Sequence, residues 1–137
     1  MASILKVDDL RGNTSAGDIT ITGEGTATMQ LQQGLSKAWV NFQGTSTVSI
    51  RDSLNQTSLV DNGTGAYKVG FTNNMNNGDY SLCVAGGSGG VYGSYNAVHG
   101  GDADITTSQY EVFSFVTQSP YVSDIDAMTT SVNGDLA

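Results

Sequence analysis

Lys37-Ala-Trp-Val-Asn-Phe42 and Ala66-Tyr-Lys-Val-Gly-Phe71 each alternate apolar residues with polar or small ones over six positions. A period of two is the signature of a β-strand, whose successive side chains point to opposite faces. Ala38, Val40 and Phe42 therefore share one face of the first run, and Tyr67, Val69 and Phe71 share one face of the second. Trp39 points the other way, toward a second layer or a neighbouring molecule. Between the two runs, Thr47-Val-Ser-Ile-Arg51 reads as a strand with Val48 and Ile50 inward, and Thr57–Val60 as another. The latter leads into Asp61-Asn-Gly-Thr-Gly65. Asn-Gly between alternating runs predicts a hairpin closed by a type I′ turn, because both central residues of that turn need positive φ.

The same reading extends downstream. Asn73–Asp79 is a polar loop, and Tyr80-Ser-Leu-Cys-Val84 is almost continuously apolar, as a central strand would be. Cys83 is the one cysteine, so no intramolecular disulfide exists, and inside this run it reads as a small buried hydrophobe. Residues 86–104 form a long loop rich in Gly, Ser and Tyr, with a short strand expected at Gly90–Tyr95. Tyr110–Thr117 predicts a strand that carries Val112 and Phe113 into the core. After Pro120, Tyr121–Val132 predicts the last strand, broken near Asp124–Asp126.

Upstream of Lys37 the signals are weaker. Ser3–Val7 and Asp18–Thr22 are short strand candidates. Residues 27–36 are the best candidate for a short helix or turn, with Leu31 and Leu35 four apart on one face. Gly34 weakens that helix by about 1 kcal/mol. Residues 2–25 hold too few apolar groups to fold alone, so they are expected to lie along a partner or neighbouring subunit, within an N-terminal attachment segment of residues 1–36. The assembly contacts would be Ile4, Leu5 and Val7, with Trp39 beyond them. The expected architecture is all-β: an antiparallel β-sandwich of about seven or eight short strands over residues 37–137, preceded by the extended segment 1–36.

Composition agrees. The chain of 137 residues has 18 Gly, one Pro and many Ser, Thr and Asn, a mixture of strand and turn formers poor in helix-forming Lys and Glu. Thirteen acidic against five basic residues give a net charge of −8, and no Lys or Arg follows Lys68. Such a surface repels phosphate backbones, which argues against a nucleic-acid partner. No apolar run approaches the roughly 20 residues of a membrane-spanning helix, so no membrane insertion is expected. The opening Met-Ala-Ser-Ile-Leu-Lys-Val-Asp-Asp lacks the basic start and apolar run of a secretory leader, and the expectation is synthesis in a cytoplasm.

Little chemistry is encoded. Gly86-Gly-Ser-Gly-Gly90 spells G-x-S-x-G, but a nucleophile elbow needs a helix after its turn, and the glycines make the match nearly free. One His and one Cys are too few for a zinc site, and no phosphate-binding loop is present. The expectation is a protein without enzymatic activity or cofactor. Asp102-Ala-Asp104 and Asp124-Ile-Asp126 are spaced so that, on strands, each pair would share a face and could meet a hard cation such as Ca²⁺; solvated acids beside turns is the preferred reading. The more promising surface is Val91-Tyr-Gly-Ser-Tyr95 with Asn96 and His99. Tyr gives rigid amphipathic contact area and small residues adapt around it. Tyr92, Tyr95, Asn96 and His99 are the candidate ligand-contacting residues.

Leu31-Gln-Gln-Gly-Leu-Ser-Lys-Ala-Trp-Val-Asn-Phe42, Gly44-Thr-Ser-Thr-Val-Ser-Ile-Arg-Asp-Ser53 and Asp61–Phe71 together resemble a module that recurs in structural proteins of marine bacteriophages, of the tail-fibre or virion-structural kind. Ile4-Leu-Lys-Val-Asp-Asp-Leu-Arg-Gly-Asn13 resembles the lead-in of such proteins. The resemblance covers about residues 2–84 and carries no catalytic residue. It implies a virion protein assembled in the host cytoplasm. Such a protein is a homo-oligomer, trimeric by analogy with phage fibres, joined to other virion proteins through its N-terminal segment and facing a host surface glycan or protein. A capsid decoration or cement protein (a head fibre) is the alternative.

Overall fold

The computed structural model describes residues 4–13, 19–22, 25–87, 95–101, 104–116 and 121–137, and at 95, 96 and 116 the backbone alone. The chain divides into two compact units, Met1–Leu35 and Ser36–Ala137.

In the first unit, strands β1 (Thr20–Thr22) and β2 (Thr28–Gln30) pair antiparallel, with Ile21 opposite Met29. A single 3-10 turn, Gln32–Gly34, follows. The short helix or turn expected over 27–36 is thus met by the turn at Gln32–Gly34, while Thr28–Gln30 is a strand instead. A ten-residue helix does not repay its nucleation cost in water, whereas Thr28–Gln30 finds a ready ladder in Thr20–Thr22. The Leu31 amide donates to the Ile19 carbonyl at 2.7 Å and prolongs that pairing. The strand expected at Ser3–Val7 is also absent over residues 4–7, which are exposed and irregular.

The second unit is an antiparallel β-sandwich. Its strands are β3 (Ala38–Gln43), β4 (Ser49–Leu54), β5 (Gln56–Asp61), β6 (Ala66–Phe71), β7 (Ser81–Gly87), β8 (Tyr95–His99), β9 (Gln109–Val116) and β10 (Ala127–Asn133). One sheet runs β4-β3-β10-β7 and the other β5-β6-β9-β8. The chain crosses from the first to the second between β4 and β5 through Asn55 alone, at φ 55°. Asn tolerates the left-handed region better than most residues, and here its side chain is clamped at both ends. Asn55 Nδ2 donates to the Asn73 carbonyl at 3.0 Å, and the Asn73 amide donates to Asn55 Oδ1 at 2.7 Å.

The core lies between the sheets. Ala38, Val40 and Phe42 of β3, with Met128 and Val132 of β10, face Tyr67, Val69 and Phe71 of β6 and Tyr110 and Val112 of β9. The Phe42 and Tyr67 rings meet edge to face at 5.2 Å, and Phe71 packs on Tyr80 at 5.6 Å. Buried hydroxyls stay paired: Tyr110 Oη bonds Thr130 Oγ1 across the sandwich, and Tyr80 Oη donates toward the carbonyls of Thr106 and Gln109, both at 3.1 Å.

Four local expectations change. The hairpin at Asp61–Gly65 forms, but Gly63 (φ 116°) and Gly65 (φ 66°) take the positive φ values, and Asn62 does not. The loop is closed by Ala66 N–H to the Gly63 carbonyl at 2.9 Å, so it is longer than a two-residue type I′ turn. Strand β7 is an edge, not a centre, and its alternation sends Leu82 and Val84 inward while Cys83, opposite Ser131, is exposed. In β9 the buried side chains are Tyr110, Val112 and Ser114, so Phe113 lies on the outer face. In β4, Val48 just precedes the strand and packs partly on the core, while Ile50 pairs with Phe42 but stays 37 % exposed because nothing flanks this edge within its sheet.

Candidate functional site

The residues singled out from sequence do not converge. Of the Tyr-rich stretch, Tyr92 lies outside the described residues, and the long loop expected over 86–104 is partly strand. Tyr95–His99 is β8, the edge of the second sheet, paired only with β9 within it. Val98, opposite Phe113, is exposed, and so is His99, whose Nδ1 lies 2.7 Å from the Gly100 carbonyl. Beside it Gly100 N–H bonds the Glu111 carbonyl at 2.7 Å, which fixes the end of the edge.

The outer face of this sheet is more apolar than expected. Ala66, Phe113 and Val98 lie in one row across β6, β9 and β8, and Phe115 pairs with Val122 in the next. Val122 and Tyr121 are exposed. Its signal was present in Tyr110-Glu-Val-Phe-Ser-Phe-Val116, which is apolar on both phases of the strand period, as a strand covered on both faces would be.

Trp39 stands on the outer face of the other sheet, half-buried, between Leu54 of β4 and Ser131 of β10. Beside it run Asn41 and Thr129, and beyond Ser131 comes Cys83. Cys83–Ala85 and Thr129–Ser131 line a shallow depression of about 200 Å³. Asn41 Oδ1 is enclosed without a hydrogen-bond donor.

The acidic pair Asp124 and Asp126 serves the fold. Asp124 Oδ1 accepts from Gly65 N–H at 2.7 Å and from Tyr67 Oη at 3.1 Å, and Asp126 Oδ1 accepts from Thr45 Oγ1 at 3.3 Å. The two flank buried Ile125 in a stretch outside any strand, so the shared-face geometry expected of the pair does not apply. Asp102 lies outside the described residues, and Asp104 is half-buried with its amide on the Gly101 carbonyl. Among the described residues no three His, Cys, Asp or Glu side chains gather as a metal site would require. Burial, reinforced by the Asp124 carboxylate, pushes Tyr67 up to about 12, and burial does the same to Tyr110.

In the first unit Ile4, Leu5, Val7 and Leu10 are all at least half exposed, Ile4 by 78 %. They stand in an irregular stretch whose one ion pair, Arg11 Nε to Asp9 Oδ2 at 2.6 Å, is itself on the surface. No family model matches the chain, and no curated protein or solved structure is significantly similar to it.

Proposed function

We propose that this chain is a non-enzymatic structural protein of a bacteriophage virion, a tail-fibre or appendage subunit that contributes to host-surface attachment. The observation that carries the reading is the N-terminal stretch. Four large apolar side chains within seven residues, Ile4 to Leu10, stand in water with no core of their own. Exposure of that kind is costly unless another surface covers it. A segment of this sort, ahead of a compact β-sandwich, suits a subunit anchored by its N-terminal end to other virion proteins. The resemblance of Leu31–Phe71 to phage structural modules supports the same reading, and the apolar outer row at Phe113 and Val98 suits packing between like subunits.

Immunogold labelling of purified virions tests it. Label on tail fibres is the expected result. Label on the head would replace the fibre reading by capsid decoration, and unlabelled virions would remove the virion reading altogether. Substituting Ile4, Leu5 and Val7 by Ser is expected to leave the sandwich folded and to abolish incorporation into particles.

A further inference from the structure

We infer that strand β7 is an interface between two copies of this chain, which join edge to edge along it, antiparallel about a two-fold axis at Val84, into one continuous sheet. The four edges of the sandwich are unequal. On β4, Arg51 is an extra residue between the pairs Asn41–Asp52 and Phe42–Ile50, which makes a bulge, and both Arg51 and Asp52 are charged. On β5, Thr57 is the extra residue between Gln56–Phe71 and Ser58–Gly70, and Asp61 charges the end of the strand. Bulges and charges keep an edge from accepting another strand. β7 has neither. Ser81–Gly87 pairs with β10 over 7 residues without a shift, and it holds no charged residue and no proline. β8 is regular too, but only 5 residues long. Among the described residues β7 is paired in its sheet on one side alone.

The open edge of β7 is complementary to its own copy. Thr129 Oγ1 donates to the Ala85 carbonyl at 3.4 Å, so that carbonyl is turned toward β10. The Val132 carbonyl accepts from Lys37 N–H at 2.8 Å and is turned toward β3, away from its β7 neighbour Leu82. Both contacts set the same phase of the ladder. Cys83 and Ala85 direct their N–H and C=O groups to β10, and Leu82, Val84 and Gly86 direct theirs to the open edge. Two antiparallel copies centred on Val84 then match over the full strand. Val84 meets Val84, Leu82 meets Gly86, Cys83 meets Ala85 and Ser81 meets Gly87, with about six backbone hydrogen bonds between them. The bulkiest side chain falls opposite the residue that has none. Ser81, Cys83 and Ala85 are small as well as exposed, and Leu82 and Val84 are only partly buried, so pairing covers apolar surface left at the edge. Charge selects this partner. Copies of a chain of net charge −8 repel, and an uncharged strand is where two of them meet with no like charges opposite. Two-fold pairing also closes on itself, whereas β7 on β4 would build an open-ended sheet, which the bulge and charges of β4 oppose.

Sedimentation equilibrium of the full chain under reducing conditions, from about 1 to about 500 μM, is expected to show a monomer–dimer equilibrium. Replacing Cys83 and Ala85 together by Glu sets like charges opposite each other across the axis while touching only exposed positions. This double variant should dimerise at least about tenfold more weakly. Cys83→Lys with Ala85→Glu sets opposite charges there instead and should dimerise like the wild type. Thermal melts check that each variant is folded. Oxidative crosslinking reads the register. In the Ala85→Cys variant, Cys83 faces the introduced thiol of the partner copy and should give a covalent dimer quickly. In the wild type the two Cys83 side chains stand diagonally, about 7–8 Å apart, too far for a disulfide without movement. A chain that stays monomeric throughout, a dimer undiminished in the folded double-Glu variant, or wild type that crosslinks as fast as Ala85→Cys overturns the proposal. Its outcome is separate from that of virion labelling: a dimer can form in a protein missing from virions, and a monomer in labelled fibres removes the β7 interface alone.

Discussion

Replacing Tyr67 by Phe removes one oxygen and leaves the ring against Phe42, so it isolates a single hydrogen-bonded tie. The Tyr67 hydroxyl sits between the Gly44 carbonyl at 2.9 Å and Asp124 Oδ1 at 3.1 Å, and it joins β6 to the start of the loop after β3 and to the segment before β10. Without it the buried Gly44 carbonyl loses this donor, at a cost of about 1–3 kcal/mol. Asp124 is exposed and keeps Gly65 N–H, so water compensates on that side and the loss should fall near 1–2 kcal/mol. For a domain of this size that corresponds to a fall in Tm of about 5–15 °C. The assay is thermal unfolding by near-UV circular dichroism, run as a double-mutant cycle with Asp124→Ala. In the Asp124→Ala background, Tyr67→Phe should cost about 0.5–1 kcal/mol less, since one of its two acceptors is already gone. A fall in Tm below about 2 °C, or strict additivity with Asp124→Ala, would refute the idea that this hydroxyl ties the two sheets.

Three further outcomes follow from the same geometry. Tyr67 and Tyr110, each held near 12, and Tyr80, raised further by burial, favour the neutral phenol in the folded state. Their contribution is complete below the unfolded value near 10 and is lost as pH climbs toward 12, so absorbance at 295 nm should show these tyrosines ionising together with loss of near-UV dichroism; full ionisation of all six with the fold intact would contradict this. Cys83 faces outward on β7 and should react fully with a thiol reagent such as DTNB in native buffer; reaction only after addition of denaturant would show it buried. A Cβ at Gly86 would overlap Ile125 Cδ1 and touch Ala97 Cβ at 3.4 Å, whereas Gly87 has open space. Gly86→Ala should cost about 1–3 kcal/mol in urea unfolding and Gly87→Ala almost nothing, and equal effects would count against close approach of β7 and β8.

The outer faces of the two sheets were invisible as units before folding. Trp39 was legible as outward, because Ala38 and Val40 on either side of it belong to the core phase. Its companions Leu54, Ser131 and Cys83 lie 15, 92 and 44 positions away, and no local pattern states which strands become neighbours. The apolar row around Phe113 was hidden for a related reason. A strand apolar on both phases does not reveal which phase faces inward until its partners are set.

The sequence by itself determined what depends on nearest neighbours along the chain. Period-two alternation fixed β3 and β6 and their buried faces at Phe42, Tyr67, Val69 and Phe71. The Gly-rich link at Asp61–Gly65 fixed a hairpin, and the scarcity of helix formers fixed the all-β class. Tertiary structure decided strand order and therefore exposure. The run at Tyr80–Val84 reads as central, but β10 and not β7 takes the place beside β3, so Cys83 sits on an outer face at an edge. Likewise the segment 27–36 reads as a short helix or turn in isolation and keeps only the turn, because backbone hydrogen bonds to Thr20–Thr22 draw Thr28–Gln30 into a strand. The physical reason is the same in each case. A strand's propensity is written in its own residues, while the free energy that chooses its partner comes from surface and hydrogen bonds supplied by residues far away in sequence.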